Sequence, residues 1–431
     1  MKKLFFTLLF TALSTLTIHA QRSGVPIGTS SNSAGSEISI SLVKRFQHYN
    51  ANSKNPDDIF DVSINSPKSV NILNSKNKFY VNSLEGEATS VYDLTTFKKI
   101  KIIKHSFNTS NQYLFQGNSN ANFTYKTKTS NLNYFNGKPV ESCFSHNGKY
   151  LWITYYRKSY DVNAIDPSAV CIIDTDADTI VRVMTTASLP KMIACSPDSK
   201  TIAISHWGDN TVSLIDISSG NPKSFSYIDN IVIDYKMNLN FSSNAKIDRD
   251  NNCGNCLRGT EFTPDSKYIL VGKMGGDGIA IIDIAKRKYL GTVTGMKTNM
   301  RHLVIKDGWL YLSSNKYGYV QKTLLHDFVN HFSTTSKIGV YNKWENAFVG
   351  IGARTISIDP SGKYLFAAVN NESKVSIVRT SDMKVLASCN ADSYPVGMDM
   401  SEDGKTLIVT AQGKTGGGGN SVMVFKVKYG E

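Results

Sequence analysis

Seven times along the chain a short phrase returns, built from an apolar run, a tight turn of the Pro-Asp/Ser-Gly/Ser type and a second apolar run. Its clearest copies start at Pro190 (Pro190-Lys191-Met192-Ile193-Ala194-Cys195-Ser196-Pro197-Asp198), Leu257 and Ala353, and weaker ones start at Pro67, Pro139, Met300 and Pro395. A polar loop and a third run ending in Asp follow, as in Val170–Asp174, Val212–Asp216 and Ile279–Asp283. Short β-branched runs between turn residues are strands, and a repeat of about forty or more residues marks a solenoid or a propeller. Four strands per unit and seven units predict an all-β, seven-bladed β-propeller.

The closest copies are 42 residues apart, so wider spacings locate insertions. Four are expected: about Ser106 to Lys138 and Asn230 to Cys256 after fourth strands, Arg157 to Ser168 and Asn315 to Ser336 between second and third strands. In an up-and-down blade those positions open on one face, so all insertions are predicted on one side, where loops concentrate function. The last copy supplies three strands, and the alternating run Ile38 to Phe46 is expected to supply the fourth and close the ring, which removes the exposed edges. The propeller is therefore placed at 37–427.

Lys2 and Lys3, an apolar run from Leu4 to about Leu16, and Ile18-His19-Ala20 read as a signal peptide over 1–20. The Ser- and Gly-rich stretch 21–36 reads as a flexible leader. The expected address is periplasmic or secreted. Loss of Lys2 and Lys3 lowers the formal charge from +13 to +11, which suits anionic partners. The chain has no nucleic-acid motif, and no later stretch has the roughly 18 apolar residues of a membrane span.

With its Pro-x-x phrases, Ser-Pro-Asp-like turns and Val-Ser-x-Ile-Asp runs, the chain from about Pro67 to Val427 resembles the YVTN-repeat propellers, and the YncE-like proteins among them. The resemblance implies the fold and an exported binding or scaffold protein. It carries no set of catalytic residues.

One column carries chemistry. The second position of the copies reads Lys68, Val140, Lys191, Arg258, Arg301, Arg354 and Val396. Five cations at the start of the innermost strand would focus a positive potential on the channel mouth, and Arg forks grip carboxylate or phosphate. The alternative is an inter-blade salt-bridge network with Glu141, Glu261 and Asp399. His206, Trp207 and His302 are expected beside the same funnel. Cys253 and Cys256, in the insertion before Arg258, are expected to form a local disulfide in an oxidising compartment, although a redox pair or a metal site uses the same residues. The other four cysteines read as buried strand residues.

No cofactor is expected. No His column recurs, Asp248 to Gly259 departs from a calcium loop at its sixth and twelfth positions, and Gly413-Lys414-Thr415 lacks the leading glycine of a phosphate loop. Gly416 to Gly419 reads as a flexible loop, and the apolar spacing of Val320 to Phe332 suggests a lid or partner-facing helix. The sequence thus points to a non-catalytic binder of an anionic small molecule, a saccharide or another envelope protein. The alternative is a lactonase or hydrolase acting at the same funnel.

Overall fold

The chain is a seven-bladed β-propeller, seen in a computed structural model that describes residues 24–31, 37–117, 132–238, 247–334, 338–413 and 418–430. The expected signal peptide and the loop at 414–417 lie outside the described residues. Seven antiparallel sheets follow one another around the ring, and the inner strands are Pro67–Leu73, Phe135–Ser145, Pro190–Cys195, Leu257–Phe262, Met300–Lys306, Ala353–Ile358 and Pro395–Met400. Each sheet hides little alone, so the core lies between neighbours. Phe46, Val422 and Val424 of blade seven pack on Val70, Phe79 and Tyr92 of blade one, and Leu214 and Ile231 of blade three pack on Ile269 and Ile282 of blade four. Burial of this kind contributes about 25 cal/mol per Å² of apolar surface removed from water.

Closure uses Ile38–Gln47, which pairs antiparallel with Ser421–Tyr429 from Ile38↔Tyr429 to Gln47↔Ser421. Asp58–Phe60 then adds a short parallel strand outside it. Arg45, almost wholly buried, locks the joint: Nε donates to Asp58 Oδ1 at 2.8 Å, and Nη1 donates to Asp392 Oδ1 at 3.0 Å and to the Val25 carbonyl at 2.7 Å. That last bond corrects the flexible-leader expectation over its described part, 24–31. This segment is held by Gly28 N donating to Leu42 O and Ser31 N to Ile40 O, with Val25 and Ile27 on the core, because its few apolar residues complete the edge of the closing strand. The rest of 21–36 lies outside the described residues.

The insertions need a second correction. Three leave the face on which the inner strands begin, as expected. The fourth does not: Trp309–Ser314 turns tightly at 315–318 into a third strand, Tyr319–Leu324, and the α-helix Leu325–Ser333 follows that strand. An insertion between strands three and four opens on the opposite face. The polar alternation of Tyr-Val-Gln-Lys-Thr-Leu concealed a strand, so the whole segment read as one insert. The helix buries Phe328 and Phe332 against Tyr341, Trp344 and Tyr268, with ring centroids 5.0 Å apart for Tyr268 and Phe332. Its apolar face is already occupied, and it is no lid over the mouth.

All seven inner strands carry a register shift at their start, between residues 67 and 70, 139 and 142, 190 and 192, 257 and 260, 300 and 302, 353 and 356, and 395 and 397. A β-bulge re-aims a side chain that strict alternation would direct elsewhere. Here each bulge spans the cation column. Gly397, in the bulge of blade seven, has no room for a side chain: an added Cβ would overlap the Lys68 carbonyl and lie 2.8 Å from Thr410 Oγ1.

Candidate functional site

The bulges bring Lys68, Lys191, Arg258, Arg301 and Arg354 to one cavity of about 300 Å³ at the channel mouth. Val140 completes the same layer, and Tyr156, Trp207, Asp250, Asn251, Met274, Tyr394 and Gln412 form the rest of the wall.

The cations divide by partner. Lys191 Nζ lies 2.6 Å from Asp250 Oδ1, 3.7 Å from the Trp207 ring centroid and 4.9 Å from that of Tyr156. Burial, only partly offset by Asp250, lowers its pKa to about 7. Arg258 Nη2 lies 2.6 Å from Glu141 Oε1, and its Nη1 donates to the Lys191 carbonyl at 2.6 Å. Lys68, Arg301 and Arg354 have no carboxylate within ion-pair distance among the described residues. Lys68 Nζ donates to Gln412 Oε1 at 2.8 Å, Arg354 Nε donates to the Val396 carbonyl at 3.2 Å, and Arg301 Nη1 meets the Met274 sulfur at 3.2 Å. The buried Nε of Arg301 has no acceptor among the described residues. Burial and then the neighbouring cations hold the pKa of Lys68 and Arg301 well below their usual ranges and that of Arg354 at about 10.

The salt-bridge alternative therefore describes Arg258 with Glu141, while Lys191 takes an acid from the blade-three insertion. Glu261 and Asp399 pair with no cation among the described residues. Asp399 lines a second chamber of about 300 Å³ farther along the channel, with Glu141, His302, Ser69, Asn71 and Ser357. Its Oδ2 accepts from Ile72 N at 2.7 Å, yet burial raises its pKa to about 6. Burial alone raises Glu261 to about 8, which keeps it a neutral acid at pH 7.

The histidines differ from expectation. His302 belongs to the second chamber, one position past the bulged Arg301, and burial lowers its pKa to about 4. His206 is wholly buried and lines neither chamber, because it ends a second strand and turns to Thr211, with Nδ1 3.2 Å from the Thr211 carbonyl. Trp207 does line the mouth, and its indole N–H donates to the Asp250 carbonyl at 3.0 Å.

Cys253 and Cys256 form a disulfide, with Cα atoms 4.8 Å apart. It packs in one small apolar cluster with Ala164, Leu189 and Trp207, against Tyr156 and Met274. Three residues of the mouth wall thus rest on the disulfide. Gly275 sits so close that an added Cβ would overlap the Cys256 sulfur. Sequence reasoning missed Tyr156, Met274, Tyr394 and Gln412. Only Tyr394 carried a signal, as it directly precedes the repeat that starts at Pro395.

Comparison with known proteins places the fold. Hydrazine synthase from Kuenenia stuttgartiensis superposes with a TM-score of 0.57 at 14% identity, covering 88% of this chain and 99% of that one. The β-propeller domain of Cps50 (Swd1) from Myceliophteria thermophila gives a TM-score of 0.58 at 10% identity, covering 84% and 97%. Identities this low show the shared architecture alone. No family model and no curated protein matches the chain. No helix among the described residues is long and apolar enough to cross a membrane.

Proposed function

We propose that this is an exported, non-catalytic propeller of the YVTN-repeat, YncE-like kind that holds an anionic ligand in its cation-lined mouth. One observation carries the reading: Lys68, Arg301 and Arg354 share a half-open cavity and have no carboxylate partner among the described residues. Uncompensated buried charge is costly, and a bound anion removes that cost. Export rests on the basic and apolar N-terminus, and the disulfide suits an oxidising compartment. A hydrolase or lactonase would need a free carboxylate or a basic His beside the cations. The nearest carboxylates, Glu141 and Asp250, are held in ion pairs, and His302 is a poor base.

The test is recovery of the protein from its native envelope, followed by mass spectrometry of the small molecules and proteins that copurify. Arg301→Ala and Arg354→Ala should each weaken retention of an anionic species by about 1.5 to 3 kcal/mol, the worth of a charge-assisted hydrogen bond. An unchanged ligand load on a folded double variant overturns the reading.

A further inference from the structure

The mouth gathers five basic side chains and one wall carboxylate, Asp250, while Glu141 reaches Arg258 from the second chamber, so three basic groups have no carboxylate partner among the described residues. They come from three separate blades, through Lys68, Arg301 and Arg354. The cavity, at about 300 Å³, sits at the small end of ligand sites and accepts a compact molecule. Donors predominate among its polar groups: three guanidinium forks, of which Arg258 is engaged by Glu141, and two ammonium groups outnumber the one carboxylate, Asp250.

Resting on the anion-binding reading, we propose that the occupant is a compact polyanion, a phosphate or a small di- or tricarboxylate, and that its binding brings a proton onto Lys68. A monoanion would leave two of the three basic groups without a counter-charge. Two or more charges within a few ångströms would satisfy both guanidinium forks and the Lys68 ammonium together.

The proton follows from what surrounds Lys68. Facing it are Lys191, Arg258, Arg301 and Arg354 with the ring of Tyr394, and its one hydrogen-bond acceptor, Gln412 Oε1, is neutral. Glu141 and Asp250 are occupied by Arg258 and Lys191. Burial and the four cations hold its pKa well below the usual lysine range and so work against the ammonium form. An arriving polyanion reverses the local potential, and the amine takes a proton from solvent to become the third cationic contact. The sign is fixed: binding that takes up a proton strengthens as pH falls and weakens as pH rises.

Calorimetric titration with phosphate, succinate, citrate and acetate at constant ionic strength, in two pH 7 buffers of different ionisation enthalpy, tests this. The polyanions should bind about 10- to 100-fold more tightly than acetate. Once the proton released by the ligand's own ionisation is subtracted, which matters most for phosphate and citrate, they should do so with net proton uptake, and the affinity of the fully ionised ligand should fall between pH 6 and pH 8. A preference for phosphate over the carboxylates, or the reverse, identifies the source of the charge. Lys68→Met, checked for an unchanged melting temperature, should lose most of the proton uptake and at least about tenfold of the polyanion preference. Lys200→Met, at an exposed turn, should alter neither. Equal binding of acetate and polyanions overturns the proposal while leaving anion binding intact. Undiminished proton uptake in Lys68→Met assigns the proton elsewhere, to Lys191, and overturns it as well. If no anion binds and the double arginine variant is indistinguishable, the underlying reading falls instead.

Discussion

Two chambers of about equal size follow one another along the channel, and they have opposite chemistry. The first gathers five cations from the second position of the inner strands. The second, one to three positions farther along those strands, holds Glu141, Asp399 and His302. Burial displaces Asp399 and His302 toward their neutral forms, whereas Arg354 in the mouth, its pKa lowered only to about 10, remains charged. The one strong link is the Arg258–Glu141 pair, in which a blade-two carboxylate reaches past blade three to a blade-four cation. The lesson concerns burial. Acids and histidines escape it by changing protonation, but arginines cannot, so the unmatched arginines mark where a counter-charge belongs.

The strongest challenge to this lesson about burial is Glu261→Gln, at an inner-strand acid that lines neither chamber. Glu261 has its folded pKa raised from 4.5 to about 8, so the stability it contributes is complete below about 4.5 and is lost as pH rises through 8. The wild type should therefore lose about 2 to 3 kcal/mol relative to Glu261→Gln between pH 5 and pH 8.5, a figure kept below the full shift because the side chain is not wholly dry. Urea melts of both proteins across that range measure it. Parallel profiles would mean that this inner-strand carboxyl is solvated and charged, and the rule that acids here answer burial by changing protonation would weaken.

A smaller effect probes their link. Glu141→Gln removes the only carboxylate on Arg258 and adds a fourth unmatched cation to the mouth, so anion affinity should rise about tenfold, at some cost in stability. Titration of phosphate or citrate into this variant reads it. A fall in affinity would show that Glu141 positions Arg258 for the ligand. Smallest should be the effect of Cys253→Ala with Cys256→Ala. The wall of Tyr156, Trp207 and Met274 loses its support, but no cation is removed, so affinity should drop only about two- to fivefold, within 1 kcal/mol. A loss as large as that of the arginine variants would make the aromatic wall the principal binding element.

Much of this was legible in the chain. A repeat that places Val70, Ile193, Ile356 and Met398 at one point of each blade dictates the number of sheets and the residues that face the neighbours, because apolar columns can be buried in only one way around a ring. The cation column was visible for the same reason, and Cys253 and Cys256 were close enough in sequence to be read as a pair. The blade-five helix was misplaced because Gln321, Lys322 and Thr323 look like loop residues. They are buried only because Trp309, Tyr341 and Glu345 come back to meet them. His206 likewise looked like a funnel residue until its strand ended facing Thr211.

What the sequence by itself determined is the seven-fold ring, its closure by Ile38–Gln47 and the presence of cations at its axis, since local propensity and a repeated hydrophobic period are properties of short stretches. Tertiary structure alone decided which of those cations is neutralised. Arg258 meets Glu141 across 117 positions of chain and Lys191 meets Asp250 across 59, while Lys68, Arg301 and Arg354 meet no acid among the described residues. Charge pairing depends on the few ångströms between side chains from different blades, and no repeat in the sequence encodes those distances.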